Sequence, residues 1–523
     1  MSALSNSLIV AVVGLLFSNG CGGGGDNNVS DWDTSGEGSA RTPGTLVSSA
    51  QPLPAGMTTA GEAPWTIRLL SYHPGPVVPR RMYFASCTPP GGAPKLLVSV
   101  SLQPETATDQ PPIVTGAVFE AQLDATTGAL KPTGAERAFP ECREMHGIAA
   151  KSDCSVIGVL CRRASRASET EPATKDMVAA LTDTGMRDWM TQPGTPAQGE
   201  QRNDEEWLYE WTDGTFASAP STYVAHKAIG GWVYGSQYLV YGESDDTFGL
   251  SLKATVYGGG NWHEGDAMLI VDRRDHSISQ NRGWFWGCAA GHTLFNHPTF
   301  NPATSQYAVT CGTDLGVKPD DGGGFGGIWT HTEKGSAQGY LDVPIHNSIS
   351  IGGGPTSLLP LPDGGYIGVF AGVNGSISKN QDFQARGAVT EIGLARFDGN
   401  GVLVGTVKRV AAMPGVFLSY PQLAPLGNGE YLLGYGEMVP LKDQNDWNLL
   451  RVPGAYHVQE IDENGMPLTA VQTLDGVGWG EQDQMVPLGN GRVGWGYIAK
   501  PARVGITMPP WAAKQLSLTV YAR

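Results

Sequence analysis

The 523-residue chain carries 50 acidic against 34 basic side chains, a net charge of −16 with no Lys/Arg run, which excludes nucleic acid as a partner. Hydrophobic residues make up 41% and charged residues only 16%, enough apolar surface for a buried core. The 72 glycines and 36 prolines leave little room for long helices; they suit short strands joined by tight turns, because glycine reaches positive φ and proline presets turn geometry.

The first element is a leader. Leu8 to Phe17 form an apolar run too short to span a bilayer but of the length of a signal-peptide core. Ser18, Asn19 and Gly20 lead into Cys21, and this junction resembles the lipobox of bacterial lipoproteins. The resemblance implies that residues 1–20 are a signal peptide and that Cys21 takes a lipid. It also implies a membrane-anchored place in the bacterial cell envelope, outside the cytoplasm. Residues 21–44 are rich in Gly, Ser, Asp and Asn and read as a flexible linker, since they bury too little to offset the entropy of ordering.

Residues 45–523 repeat themselves. Pro425-Leu-Gly-Asn-Gly429 and Pro487-Leu-Gly-Asn-Gly491 each precede an apolar run, with a looser copy at Leu361-Pro-Asp-Gly-Gly365. Asn-Gly and Asp-Gly between apolar runs are hairpin turns, because both central residues must accept positive φ. A second turn follows at Phe397-Asp-Gly-Asn-Gly401 and Ile461-Asp-Glu-Asn-Gly465, and earlier at Leu123-Asp-Ala-Thr-Thr-Gly128, Val271-Asp-Arg-Arg-Asp275 and Thr332-Glu-Lys-Gly335. Each unit is therefore two hairpins in series, which is the four-stranded blade of a β-propeller.

Units are expected to open near Ser71, His146, His226, His292, His346, Ser419 and Gln484. In the second unit either Asp183-Thr-Gly185 or Asp213-Gly214 serves as the second turn. The last unit lacks an outer strand after Leu516 to Ala522, and Thr45 to Leu53 can supply it, which removes an exposed edge. The fold class is thus all-β: a seven-bladed β-propeller closed by an N-terminal strand, with a pair of β-sandwiches as the alternative. Such chains resemble exported bacterial lipoproteins with a propeller body, a likeness that names no activity.

Cysteines and histidines recur in this frame. Cys142 and Cys161 flank His146 as Cys288 and Cys311 flank His292, so these two pairs are the expected disulfides of an exported protein. Cys87 falls on a second strand and Cys154 in a turn at the other end of its blade, which makes their pairing geometrically unfavourable. His73, His146, His226, His292 and His346 open innermost strands, where imidazoles can converge at the channel mouth to bind a metal or move protons. Zinc held by the two Cys-x-x-x-His pairs is a further alternative, although separate blades do not gather ligands into one cluster.

Aromatics gather around the second and third units. Trp207, Trp211 and Trp232 are the candidate platform for a sugar or peptide, with core packing as the competing role. His263-Glu264 and Gly335-Ser336 do not complete a zincin or nucleophile-elbow motif, Asp124 to Gly128 is a lone quinone-cofactor-like repeat, and Gly322 to Gly327 is a surface loop before it is a calcium loop. No cofactor is expected beyond a metal ion on the histidines. These readings favour a binding or scaffold module that presents a propeller face to a protein or glycan. The alternative is a propeller enzyme or metal-binding protein built on the channel-mouth histidines.

Overall fold

The computed structural model describes residues 41–52, 82–102, 115–139, 142–164, 204–212, 215–216, 222–224, 232–233, 238–258, 261–274, 279, 282–285, 293–313, 325–346, 354–373, 390–413, 417–440, 451–474, 484–498 and 515–523. Every described element is a strand. The signal peptide, Cys21, His73, His226, Cys288 and His292 lie outside the described residues.

Strand β1 spans Thr45–Pro52. The first sheet orders β2 (Met82–Cys87), β3 (Lys95–Leu102), β4 (Thr115–Leu123) and β5 (Leu130–Phe139). The second orders β6 (Cys142–Ala150), β7 (Ile157–Ala164) and β8 (Asp204–Thr212), with β9 (Thr215–Phe216) and β10 (Thr222–Val224) both on β8. In the third, β11 (Trp232–Val233) and β12 (Tyr238–Gly242) share β13 (Thr247–Gly258), followed by β14 (Asn261–Asp272) and β15 (Trp284–Phe285). The fourth holds β16 (Thr293–Asn301), β17 (Gln306–Thr313), β18 (Phe325–Thr332) and β19 (Gly335–His346).

The fifth sheet holds β20 (Gly354–Pro360), β21 (Tyr366–Val373), β22 (Thr390–Phe397) and β23 (Lys408–Ala412). The sixth holds β24 (Phe417–Gly427), β25 (Glu430–Pro440), β26 (Arg451–Asp462) and β27 (Gln472–Leu474). The last orders β28 (Val486–Gly489), β29 (Arg492–Ile498), β30 (Gln515–Ala522) and then β1, which runs antiparallel to β30 with Thr45 opposite Ala522 and Pro52 opposite Gln515. Contacts run from β2 to β6, β6 to β12, β12 to β16, β16 to β20, β20 to β24 and β24 to β28, and β28 touches β2. This is an all-β propeller fold.

Local chemistry accounts for the turns. Asn428 and Gly429 have φ of 57° and 73°, and Asn490 and Gly491 have 51° and 70°, the doubly positive geometry that lets a two-residue loop follow the strand twist. The leucine of each Pro-Leu-Gly-Asn-Gly copy sits at a register shift, and Leu426 and Leu488 are both buried. The second turns are closed by their aspartates. Asp398 Oδ1 accepts from the amides of Asn400 and Val402 at 2.8 and 2.9 Å, and Asp462 Oδ1 from Asn464 and Met466 at 2.8 Å each. In the second sheet the residues joining β8 to β9 are Asp213 and Gly214, not the Asp183 turn.

Apolar clusters fill the spaces between neighbouring sheets. One joins Leu97, Val118 and Phe139 of the first sheet to Met145, Ile157 and Val159 of the second; another joins Val98 and Phe119 to Leu518 and Val520 of the last. Aromatic rings enter slots left by glycines. A Cβ on Gly158 would meet the Phe248 ring at 2.4 Å, and one on Gly249 the Tyr307 ring at 2.3 Å. Gly249→Ala should therefore force these two sheets apart at a cost of about 1–3 kcal/mol, read as a lowered midpoint in chemical denaturation. An unchanged midpoint would show that the ring has room to move.

One expected unit opening shifts. Among the described residues the first sheet starts at Met82 and the third at Trp232, while Ser71 and His226, expected to open these units, lie outside the described residues; the fifth starts at Gly354 and not His346. His346 is instead the final residue of β19, the outermost strand of the fourth sheet, opposite Phe325. The reason is that β19 keeps its pairing with β18 for 12 residues, further than any local signal marks.

Candidate functional site

Of the five histidines proposed for the channel mouth, two are described, and they are not brought together. His146 lies on innermost β6 at a register shift between Met145 and Gly147, and is only 1% exposed. His346 ends an outermost strand of another sheet, so its placement at the mouth is corrected. Among the described residues no group of three or more His, Cys, Asp or Glu is arranged to hold a metal ion.

Trp207 and Trp211 lie four positions apart on β8, opposite Cys161 and Ile157, while Trp232 opens β11 in the next sheet. Cys161 and Cys311 are each disulfide-bonded, and Cys142 stands opposite Arg163, two positions along from Cys161.

The cysteine pair judged unfavourable is bonded. Cys87 joins Cys154 across a Cα–Cα distance of 5.1 Å. The sequence frame placed Cys87 on a second strand, whereas it ends innermost β2. That end faces the turn between β6 and β7, where the Thr88 amide also donates to the Ser152 carbonyl at 2.8 Å. The bond therefore ties the first sheet to the second.

Beside this bond the turns of the second and third sheets enclose a cleft of about 460 Å³ lined by Lys151, Ser155, Val156, Tyr241, Glu243, Asp246 and Arg273. Asp246 sits at φ 57° in the β12–β13 turn. Arg273 Nε and Nη2 donate to its two carboxylate oxygens at 2.5 and 2.8 Å, and Tyr241 Oη donates to Oδ1 at 2.5 Å. The Arg273 hydrogen bond, and secondarily that from Tyr241, holds the Asp246 carboxyl below its usual range against the opposing effect of burial. Asp153, in the turn between β6 and β7, accepts from the Ser155 hydroxyl and amide and is lowered to about 2. Such a cleft offers paired charges and hydroxyls to a polar ligand.

A second polar group crosses the sixth sheet. His457 Nε2 lies 2.7 Å from Glu437 Oε1 and Nδ1 lies 3.0 Å from Thr473 Oγ1, with His457 2% exposed and Thr473 exposed. His457 and Thr473 are register partners on β26 and β27, and the ring packs against Tyr435 with centroids 5.2 Å apart. Sequence reasoning missed His457 because it belongs to a third strand, outside the recurring place that drew attention to the other histidines. It took Arg273 only as part of the Val271–Asp275 turn and did not single out Asp246.

His331 supplies a pH dependence. Its ring lies 4.7 Å from Trp284, and burial pushes its pKa down from 6.5 to about 4. The folded state thus prefers neutral imidazole, so its contribution is present above 6.5 and is lost as pH falls toward 4. Stability should drop by about 2–3 kcal/mol across that window, and His331→Phe should flatten this part of the profile in pH-dependent denaturation. An equally steep profile in the variant would assign the acid sensitivity elsewhere.

No protein-family model and no curated protein matches the sequence. Among solved structures the chain is similar to a protein of unknown function from Dyadobacter fermentans, at 12% identity over 72% of this chain and 95% of that one, with a TM-score of 0.37. It is also similar to polysaccharide lyase Uly1, at 8% identity over 92% and 100% with a TM-score of 0.46. A third likeness is to a Pyrococcus horikoshii acylaminoacyl peptidase, at 7% identity over 81% of this chain and 50% of that one, with a TM-score of 0.39. This chain spans about half of the peptidase. Likenesses of this degree carry no activity across.

Proposed function

We propose that the chain is a membrane-anchored, extracytoplasmic binding or scaffold module, a seven-bladed propeller closed by its N-terminal strand, that presents one face to a protein or glycan. The observation that carries this reading is the asymmetry of the connections. At one end of the sheets the strands are joined by tight turns such as 333–334, 428–429 and 490–491. At the other end leave the long connections 103–114, 165–203, 314–324, 374–389, 441–450 and 499–514. Long connections set on a rigid scaffold are where recognition resides. The Cys87–Cys154 bond supports an oxidising compartment, in agreement with the lipobox-like Cys21.

The test is a glycan and peptide array probed with the folded body. Binding should fall at least tenfold when 374–389 is replaced by a short Gly-Ser link, at unchanged folded fraction. Binding that survives this change and is lost instead in Trp207→Ala and Trp211→Ala would remove the long-connection face from the mechanism and move recognition to strand β8.

A second reading, an enzyme, is favoured by one observation: Thr473, His457 and Glu437 stand in the order hydroxyl, imidazole, carboxylate that activates a nucleophile. Ester hydrolysis abolished in Thr473→Ala and retained in Thr473→Ser would support it, and activity indifferent to both would end it. The metal version adds His73, His226 and His292, which lie outside the described residues, and metal analysis of His226→Ala protein tests that version.

A further inference from the structure

We infer that the tether leaves the propeller on the short-turn face, so that this face looks toward the membrane and the face with the long connections looks away from it. The inference rests on the lipid-anchor reading above. Its physical basis is the direction of β1. Thr45 lies opposite Ala522, and Ala522 opposite Arg492, the first residue after the Asn490–Gly491 turn, so β1 begins at the short-turn end and reaches the other end at Pro52.

The residues before β1 stay at that end. Arg41 forms a bridge with Thr469, its amide donates to the Leu468 carbonyl at 2.7 Å, and its guanidinium holds Glu430, which follows the Asn428–Gly429 turn. Gly44 donates to Tyr521 Oη at 2.6 Å and accepts from Gln472 Nε2 at 2.8 Å. The anchoring point of the linker is thus fixed on the rim of this face. Cys21 precedes Arg41 by only 20 positions in the sequence, so the lipid is attached close along the chain to this rim.

Charge agrees with this orientation. The chain carries −16 overall, which anionic lipid repels, yet several carboxylates of the short-turn face are paired with bases. Asp246 pairs with Arg273, Asp272 with Arg274, and Asp363 with Arg396, while Arg282 spans Asp245 and Glu333.

The experiment uses the full lipidated chain in phosphatidylcholine vesicles, with or without phosphatidylglycerol, carrying an acceptor dye on the headgroups. A donor is attached at Asn400→Cys on the short-turn face or at Ser378→Cys in the connection between β21 and β22. Transfer at Asn400→Cys should be at least twice that at Ser378→Cys, and Cys21→Ser should abolish both. Equal or reversed transfer that still depends on Cys21 overturns the orientation while leaving the anchor in place. Transfer unaffected by Cys21→Ser overturns the anchor and the orientation with it.

Discussion

Glu460→Ala is expected to cost about 1–3 kcal/mol of stability, the range for leaving a buried hydrogen-bonding group without its partner, because the Arg41 side chain is 35% exposed and keeps Glu430. The Glu460 side chain is 0% exposed. Its Oε1 accepts from Tyr521 Oη at 2.6 Å, and its Oε2 from Arg41 Nε at 3.0 Å. Glu430, beside it, takes Arg41 Nη2 at 2.8 Å and also pairs with Arg523. Truncating Glu460 leaves a buried phenol without its acceptor and a guanidinium with half its counter-charge. Because Tyr521 belongs to β30 and Arg41 precedes β1, the loss falls on the sheet that joins the two ends of the chain.

Chemical denaturation should show a lowered midpoint in Glu460→Ala, with Glu460→Gln intermediate because it keeps an acceptor for Tyr521. Acid acts on the same cluster. The hydrogen bond from Arg41 holds the Glu430 carboxyl below its usual range, so its contribution is present above the unfolded value and is lost as pH falls through the folded one. Equal midpoints for wild type and Glu460→Ala would show that β1 is held by its backbone ladder alone.

Replacing both Cys87 and Cys154 by Ser is the second large expected effect. The bond closes a loop with a sequence separation of 67, for which loop-closure entropy gives about 4 kcal/mol, less whatever structure the unfolded chain retains. The loss should localise, since the bond joins the first sheet to the second. Hydrogen exchange should speed up first in β2 and in the Lys151–Val156 turn, and the adjoining cleft should lose its shape. Uniformly faster exchange over all sheets would mean that the bond stabilises the whole propeller cooperatively. No change at all would mean that the apolar contacts of Cys87 and Cys154 with Ile148 and Ile157 suffice.

What could be read beforehand follows the range of the forces. Asn428-Gly429, Asn490-Gly491 and the aspartates at 398 and 462 announce their turns because the determinants lie within a few residues of one another. The extent of β19 to His346 could not be read, since it is set by pairing with β18 and not by its own composition. Cys87 was misplaced for a related reason: opening the first unit at Ser71 shifted it onto a second strand, and a strand away its partner seems out of reach. Arg41 and Gly44 belong by composition to the linker, yet meet carboxylates and a phenol more than 380 positions later. The cleft depends on Asp246 and Arg273 meeting across a turn and a strand end, a coincidence created only by the fold.

The pairing of β1 with β30 also orders events during synthesis. These strands are separated by nearly the whole chain, with Gly44 and Tyr521 477 positions apart. A strand made early must wait, its ladder edge unpaired, until the closing segment emerges. Such high contact order slows maturation and leaves an aggregation-prone intermediate whose lifetime is set by the time needed to complete the chain, so escort by a holding chaperone would matter most just before the last strand arrives.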